Sequence, residues 1–340
     1  MTSRERVAAA FAHEEPDCVP LFELGLNPHF IEHFGGDVFE AYAGLGCDLF
    51  PFWPVGLPDA HVDVLGEEEW ADEFGRRWRR DHTPRTHGAY YVGGMVRNAA
   101  DLERYLPPAR VRERLPESLV AECRRRYPDH ALAFMFHGPF ELAYEGMGTE
   151  RFCWMMYDNP RLVRMALEAH TEWYIELAYR AMELGLEVAI IGDDSAFKSS
   201  SFISPKDYAN LVIPCYRRIV REVDLPFLWH SDGHVTELLP LIIEAGIVGV
   251  HPLEPTAGMD LGEVKRQYGR DLVLIGNVCV SEVLPSGDMA RIRADVERCM
   301  RQAKAGGGYL LSSSNSLHAG IEVESGLEAF RYAHEVGRYR

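Results

Sequence analysis

The chain has 340 residues, 47% of them hydrophobic, which excludes a disordered chain and allows one barrel-sized core or two smaller ones. A formal charge of −17 disfavours nucleic acid or an anionic membrane as main partner, leaving only a local basic pocket for an anionic ligand. Seven scattered cysteines with no CxxC pair argue against a disulfide framework or a cysteine-rich zinc module, and no run of about 18 apolar residues or basic-then-apolar start is present, so a cytoplasmic protein is expected.

In chain order, Ser3-Arg4-Glu5-Arg6 caps a short helix over RERVAAAFAH, and Pro16-Asp17 ends it before the strand VPLFE, which finishes at Glu23. Helical HFIEHF and DVFEAYAGLG lead to a second strand, CDLFPFWP, ending near Trp53. From 54 to 130 the pattern breaks: EFGRRWRRDHTPRTHGAYYVGGMV reads as an inserted hairpin, flanked by helices over ADLERYLPP and RLPESLVAECRRRYPDH. Regularity returns with ALAFMFHGPFE, whose strand ends at His137-Gly138, and then the long amphipathic segment from Pro160. Next come EVAIIGDD, ending in Asp193 and Asp194; a helix opened by Ser204-Pro205; FLWHSDG; GVHPLEP with Glu254; LVLIGNV with Asn277; and GYLLSSSNSLH with Asn315 and His318. A final helix covers ESGLEAFRYAHEVGRY.

Strand and helix thus alternate eight times, the pattern of a (β/α)8 TIM barrel with an inserted hairpin and helical segment after the second strand. A doubly wound open sheet is the rival. The barrel is preferred because all eight strand ends carry a polar, titratable or aromatic group, as expected where the carboxyl-terminal face builds a site. No linker or repeat divides the chain, so one domain over 1–340 is expected, compatible with a homodimer.

The stretch PFLWHSDGH, 226–234, carries the most chemistry. His230 and Asp232 lie two apart on a strand end and so share a face, where they can bind a metal or work as an oriented imidazole. The plain alternative is a turn made by Asp232-Gly233 after a buried strand. Taken singly, each strand-end group is more often structural: Asn277 can cap a loop, His137 can bond backbone. Asp193 and Asp194 cannot both point inward from extended backbone, so one should face the pocket and the other hold a loop. Lys198, one of four lysines, sits in the Ser-rich KSSSF and suits a surface or anion contact better than a Schiff base. Gly306-Gly307-Gly308 precedes a strand, the wrong order for a phosphate loop, and no GxSxG, GxxxxGK[ST] or HExxH occurs.

Several segments, TSRERVAAAFAHEEPDCVP, GDDSAFKSSSFISPKDYANLVIPCYRRI, FLWHSDGHVTELLPLIIEAGIVGVHPLEP, LVLIGNV and GGGYLLSSSNS, resemble in order the uroporphyrinogen decarboxylase superfamily, which also contains corrinoid-dependent methyltransferases. The resemblance implies a (β/α)8 barrel. Porphyrinogen decarboxylases carry an Arg-rich signature after the first strand; here that place reads FELGLNPHF, with no arginine to grip propionates. The methyltransferase branch carries zinc on a His-x-Cys pair and a further Cys after the last strand. His230 matches the histidine, Asp232 replaces the first cysteine and Asn315 stands near the second, with His318 close by. One carboxylate with neutral donors would leave a bound ion more electrophilic than two thiolates do, which suits polarising an ether, phenol or amine.

The resemblance therefore implies a methyltransferase that moves a methyl group from a small O- or N-methylated molecule to a corrinoid protein. Zinc would sit on His230, Asp232, Asn315 and His318. Glu23, His137, Asp193 and Asp194 would be catalytic, with Trp53, Glu254 and Asn277 binding substrate. The alternatives are a metal-free decarboxylase or lyase using Asp and His as acid and base, and a non-catalytic barrel that binds a small molecule.

Overall fold

The computed structural model describes residues 1–83 and 88–339. Seven parallel strands form one sheet in the order β1-β6-β7-β8-β9-β10-β11, and β2 to β5 form a separate antiparallel sheet. The parallel strands are β1 (Leu49–Phe52), β6 (Ala131–His137), β7 (Val188–Gly192), β8 (Phe227–His230), β9 (Gly249–His251), β10 (Val273–Ile275) and β11 (Tyr309–Leu310). The antiparallel strands are β2 (Asp63–Val64), β3 (Glu69–Ala71), β4 (Arg76–Arg80) and β5 (Ala89–Gly94). The eighth position of the parallel array is taken by residues 20–22, which form single parallel bridges, Phe22 to Leu49 on one edge and Leu21 to Leu311 on the other. Backbone bonds from Asp48 N to Leu21 O (2.7 Å), Phe22 N to Leu311 O (3.0 Å) and Leu311 N to Pro20 O (3.0 Å) join both edges through this segment.

Side-chain parity follows the alternation of an extended chain. One set, Leu49, Ala131, Ala133, Met135, Val188, Ile190, Leu228, Val273, Ile275 and Leu310, packs with Phe22 in an inner cluster. The other set, including Phe50, Phe134, Ile191 and Trp229, faces the surrounding helices. Val7 and Ala10 of the first helix, Ser3–Phe11, join the inner cluster, so that helix covers the amino-terminal end of the sheet. Each inner Leu or Ile removed from water contributes roughly 1.5–3 kcal/mol. The stability of the ring is thus placed below the strand ends, which are left to polar groups.

The segment after β1 is richer than the expected hairpin. The β4–β5 hairpin is present, residues 84–87 between its strands lying outside the described residues, and β2 and β3 widen it to four strands. Helices Ala99–Arg104 and Glu117–Arg126 form where the sequence places them. This sheet docks on helix Pro139–Met147 through Arg76, whose guanidinium meets Asp72 at 2.8 Å and Glu145 at 3.3 Å. Among the described residues no helix is long and apolar enough to cross a membrane, and all seven cysteines are free.

Candidate functional site at the strand ends

The inner rows of side chains run on past the last apolar residues into the site. On β8 the row Leu228, His230, Asp232 continues outward; on β7 the row Val188, Ile190, Gly192 reaches Asp194. Asp194, His230 and Asp232 place one ligand atom each within 4.8 Å of one another. His230 Nε2 lies 3.7 Å from Asp194 Oδ1 and 4.0 Å from Asp232 Oδ1. Two oxygens or nitrogens about 2 Å from a tetrahedral ion stand roughly 3.3 Å apart, so the two distances from His230 are slightly longer than in a filled site. Asp232 Oδ1 is buried with no hydrogen-bond partner, while the other carboxylate oxygen accepts from Asn315 Nδ2. Asp232 N donates to Asp194 Oδ1 at 2.9 Å, tying the two strand ends together. An orphaned buried oxygen facing an imidazole and a second carboxylate is the donor set a divalent cation needs, and the residues fit such an ion.

Charge accumulation accounts for the electrostatics. Burial, then the neighbouring Asp194 and Glu254, push the Asp232 carboxyl well above its usual range. Burial lowers His230, against the pull of Asp194. Glu141 is pushed up to about 8 by burial and then by Asp194; it accepts from Asp194 N at 3.2 Å and meets His137 Nδ1 at 3.0 Å. His137 is lowered to about 4 by burial and by Arg76, and its ring meets the half-exposed Trp53 edge-on at 6.0 Å. A wall of three acids and an imidazole therefore runs from Asp232 through Asp194, Glu141 and His137 to Trp53. Beside it opens a cavity of about 540 Å³ whose lining includes Asp232, Glu254, Asn315, Phe197 and Lys198.

The other expected site residues stand outside the Asp194, His230 and Asp232 cluster. Asp193, fully buried, points outward and accepts from Tyr216 Oη (2.7 Å), Phe140 N (3.2 Å) and Glu141 N, so it holds the start of helix Pro139–Met147. The acidic pair divides as extended backbone requires, with Asp194 the inward member. Glu23 is buried at the end of the closing segment, where Ser313 Oγ donates to it at 3.1 Å; burial raises it to about 8. Asn277 does not reach the cavity: its Nδ2 donates to Leu253 O at 2.7 Å and its Oδ1 accepts from Arg298 at 3.0 Å. His318 lines the cavity but is no member of the ligand cluster, because Nε2 is held by Val280 O at 2.9 Å and Nδ1 accepts from Gly320 N at 3.0 Å. Asn315 supports Asp232 through its amide rather than standing beside it as a third ligand. Glu254 accepts from Gly233 N at 3.1 Å and faces the exposed Lys198 at 3.6 Å.

Were Asp194 to take the place of His318 around an ion, the ligand charge would be near −2 rather than −1. It would equal the count of two thiolates, but on oxygen, so electrophilicity would come from donor hardness and not from missing charge. Sequence reasoning also passed over His251, Glu141 and Arg76. The parity of β9 offered His251 a signal, since it stands two residues after Gly249 on the inner row.

A parallel α/β array closed through residues 20–22, with an acid–imidazole cluster at its carboxyl-terminal mouth, defines a barrel whose site is assembled from strand ends. The profile of the family Uroporphyrinogen decarboxylase (URO-D) matches residues 84–336, and the chain belongs to that family. It is 26% identical over 196 residues to the methylated-thiol–coenzyme M methyltransferase of Methanosarcina mazei, covering 56% of this chain and 51% of that protein. To the methylcobamide:CoM methyltransferase of Methanosarcina barkeri it is 25% identical over 170 residues, 50% of this chain and 49% of the other. The chain thus spans about half the length of these curated relatives. Over the whole fold it resembles a solved methyltransferase from Methanosarcina mazei, with a TM-score of 0.78, 19% identity, and 98% and 99% of the two chains covered.

Proposed function

We propose that the chain transfers a methyl group from a small O- or N-methylated molecule to a corrinoid carried by a partner protein, with zinc or a similar divalent ion held by Asp194, His230 and Asp232. The observation that carries the metal reading is the orphaned Asp232 Oδ1 facing His230 Nε2 and Asp194. One relative's name includes a methylcobamide, there the methyl donor to coenzyme M, which supports a corrinoid partner; the direction of transfer is part of the proposal.

When bound, the ion supplies Lewis acidity to the oxygen or nitrogen that bears the methyl group. The chain's own residues do the rest. Asn315 fixes the Asp232 carboxylate, and the Asp232 N–H fixes Asp194, so both acids are oriented before substrate arrives. The Trp53 ring, 38% exposed, and the Phe197 ring, 56% exposed, offer apolar faces to the donor's body. The methyl leaves to the reduced corrinoid, and the atom it leaves takes a proton. Glu141, which accepts from the backbone N–H of Asp194, is held toward its protonated form by burial and serves as a nearby reserve.

The test follows cobalt methylation spectroscopically with methylated phenols and amines, a reduced corrinoid and the purified protein. Methylation with at least one donor class, lost in Asp232→Ala, is expected. No methylation with any donor class would end this reading.

A second reading, decarboxylation, has in its favour the raised carboxyls of Asp232 and Glu141, which can act as acids. Against it, the cations near the wall among the described residues are already engaged, Arg76 by Asp72 and Glu145 and Lys198 by Glu254. Among the described residues, a carboxylate-rich substrate would meet a negative mouth without free counter-charge there.

A further inference from the structure

The histidine of the ligand cluster is backed by a second histidine that no role above uses. β8 and β9 pair in register with His230 opposite His251, so both rings project from neighbouring strands toward the same side. Their centroids lie 5.0 Å apart with planes tilted by 31°, and Nδ1 of one meets Nδ1 of the other at 2.7 Å. That distance is a hydrogen bond, so one proton lies between the two nitrogens. His251 is 1% exposed. Its far nitrogen, Nε2, meets Ser312 Oγ at 3.3 Å, and Phe22 closes on the ring edge-on at 5.7 Å.

His230 Nε2 stands 3.7 and 4.0 Å from the two carboxylates. An N–H there would have been drawn to about 2.7–2.9 Å by a carboxylate acceptor. The ring proton of His230 therefore belongs on Nδ1, His251 Nδ1 accepts it, and the proton of His251 lies on Nε2, toward Ser312 Oγ.

We propose that His251 is a positioning residue, which through the Nδ1–Nδ1 bond holds His230 in the tautomer whose Nε2 lone pair faces Asp194 and Asp232, ready for a divalent cation. It deepens the metal reading above, from which its cation-binding consequence follows. Partners that orient a ligating histidine through its second nitrogen are commonly carboxylates or carbonyls. Here the same role falls to a neutral imidazole, itself anchored by Ser312. A neutral partner adds no charge to a mouth already crowded with acids.

The first test is ring nitrogen NMR of the full chain labelled with ¹⁵N-histidine, the His230 signals being assigned by their loss in His230→Gln. An unprotonated, pyridine-type Nε2 is expected in the metal-free protein; a protonated Nε2 would overturn the tautomer whether or not metal binds. The second test measures Co²⁺ and Zn²⁺ affinity by competition with a chromophoric chelator. His251→Phe keeps a ring but offers no acceptor, and should weaken binding by roughly 10–100-fold. His251→Asn places Oδ1 where Nδ1 was and should recover most of that loss. Wild-type affinity in a folded His251→Phe protein, or an Asn variant no better than Phe, would overturn the positioning role. Should the wild type bind neither ion, the metal reading itself falls, while the NMR result still decides the tautomer.

Discussion

Replacing each member of the acidic pair in turn separates a structural carboxylate from one facing the cavity. In Asp193→Ala, Tyr216 Oη and the main-chain N–H groups of Phe140 and Glu141 lose the acceptor they share. Each buried donor left unpaired costs about 1–3 kcal/mol, and because the three act as a unit the sum is best taken as about 3–6 kcal/mol. A domain of this size loses its fold with an entropy near 0.7 kcal/mol per degree, so the melting temperature should drop by about 4–8 °C. In Asp194→Ala the backbone N–H of Asp232 loses its acceptor, but repulsion on Asp232 and Glu141 is relieved. The two effects oppose each other and should leave stability within about 1 kcal/mol of wild type. The assay is thermal and urea unfolding followed by far-UV circular dichroism, with Co²⁺ affinity measured on the same samples. Asp193→Ala should melt early yet bind cobalt when folded; Asp194→Ala should do the reverse. If Asp194→Ala is the less stable of the two, the outward and inward assignments are wrong.

Further outcomes follow from the same geometry. Glu141, raised to about 8 by burial and Asp194, binds its proton more tightly folded than unfolded, so its contribution to stability should fall as pH rises from about 4.5 to 8, adding at most about 1.4 kcal/mol per pH unit to the slope. Glu141→Gln should flatten that slope in urea midpoints taken across the window, and an unchanged or steeper slope contradicts the assignment. Arg76→Met strands Asp72 and Glu145 at the joint between the inserted sheet and helix Pro139–Met147, and should cost about 3 kcal/mol in chemical denaturation; a loss under about 1 kcal/mol would show that the joint is held by apolar contact alone. His318→Ala should leave zinc affinity within a factor of about two, since both ring nitrogens already serve backbone groups; a tenfold loss in a competition titration would return His318 to the ligand set.

The strand ends were legible because the period of an extended chain is short and local. Apolar runs closing on His137, Asp194, His230 and Glu254 announce both the strand and its active end, and the rule that neighbours alternate faces divides Asp193 from Asp194 without any coordinates. What could not be read was contact between rows. Asp194 as a partner of His230 depends on the register of β7 against β8, and His251 against His230 on that of β8 against β9, which no single strand specifies. His251 was overshadowed by Glu254, three residues on, although its parity was correct. The insertion hid most. Arg76 pairs with Glu145 across 69 positions, and a hairpin pattern alone does not say that two further strands flank it or which helix it will meet. His318 differs for the opposite reason: it shares the cavity with Asn315, as nearness in sequence suggested, but the loop turns its ring toward Val280 and away from the acid–imidazole cluster.

The most direct measurement is anomalous scattering at the zinc edge from crystals grown with equimolar zinc. A single strong peak about 2.0–2.2 Å from His230 Nε2 and from one oxygen each of Asp194 and Asp232 is the predicted result. No peak at that mouth, or one held by Asn315 and His318 with Asp194 turned away, would contradict it.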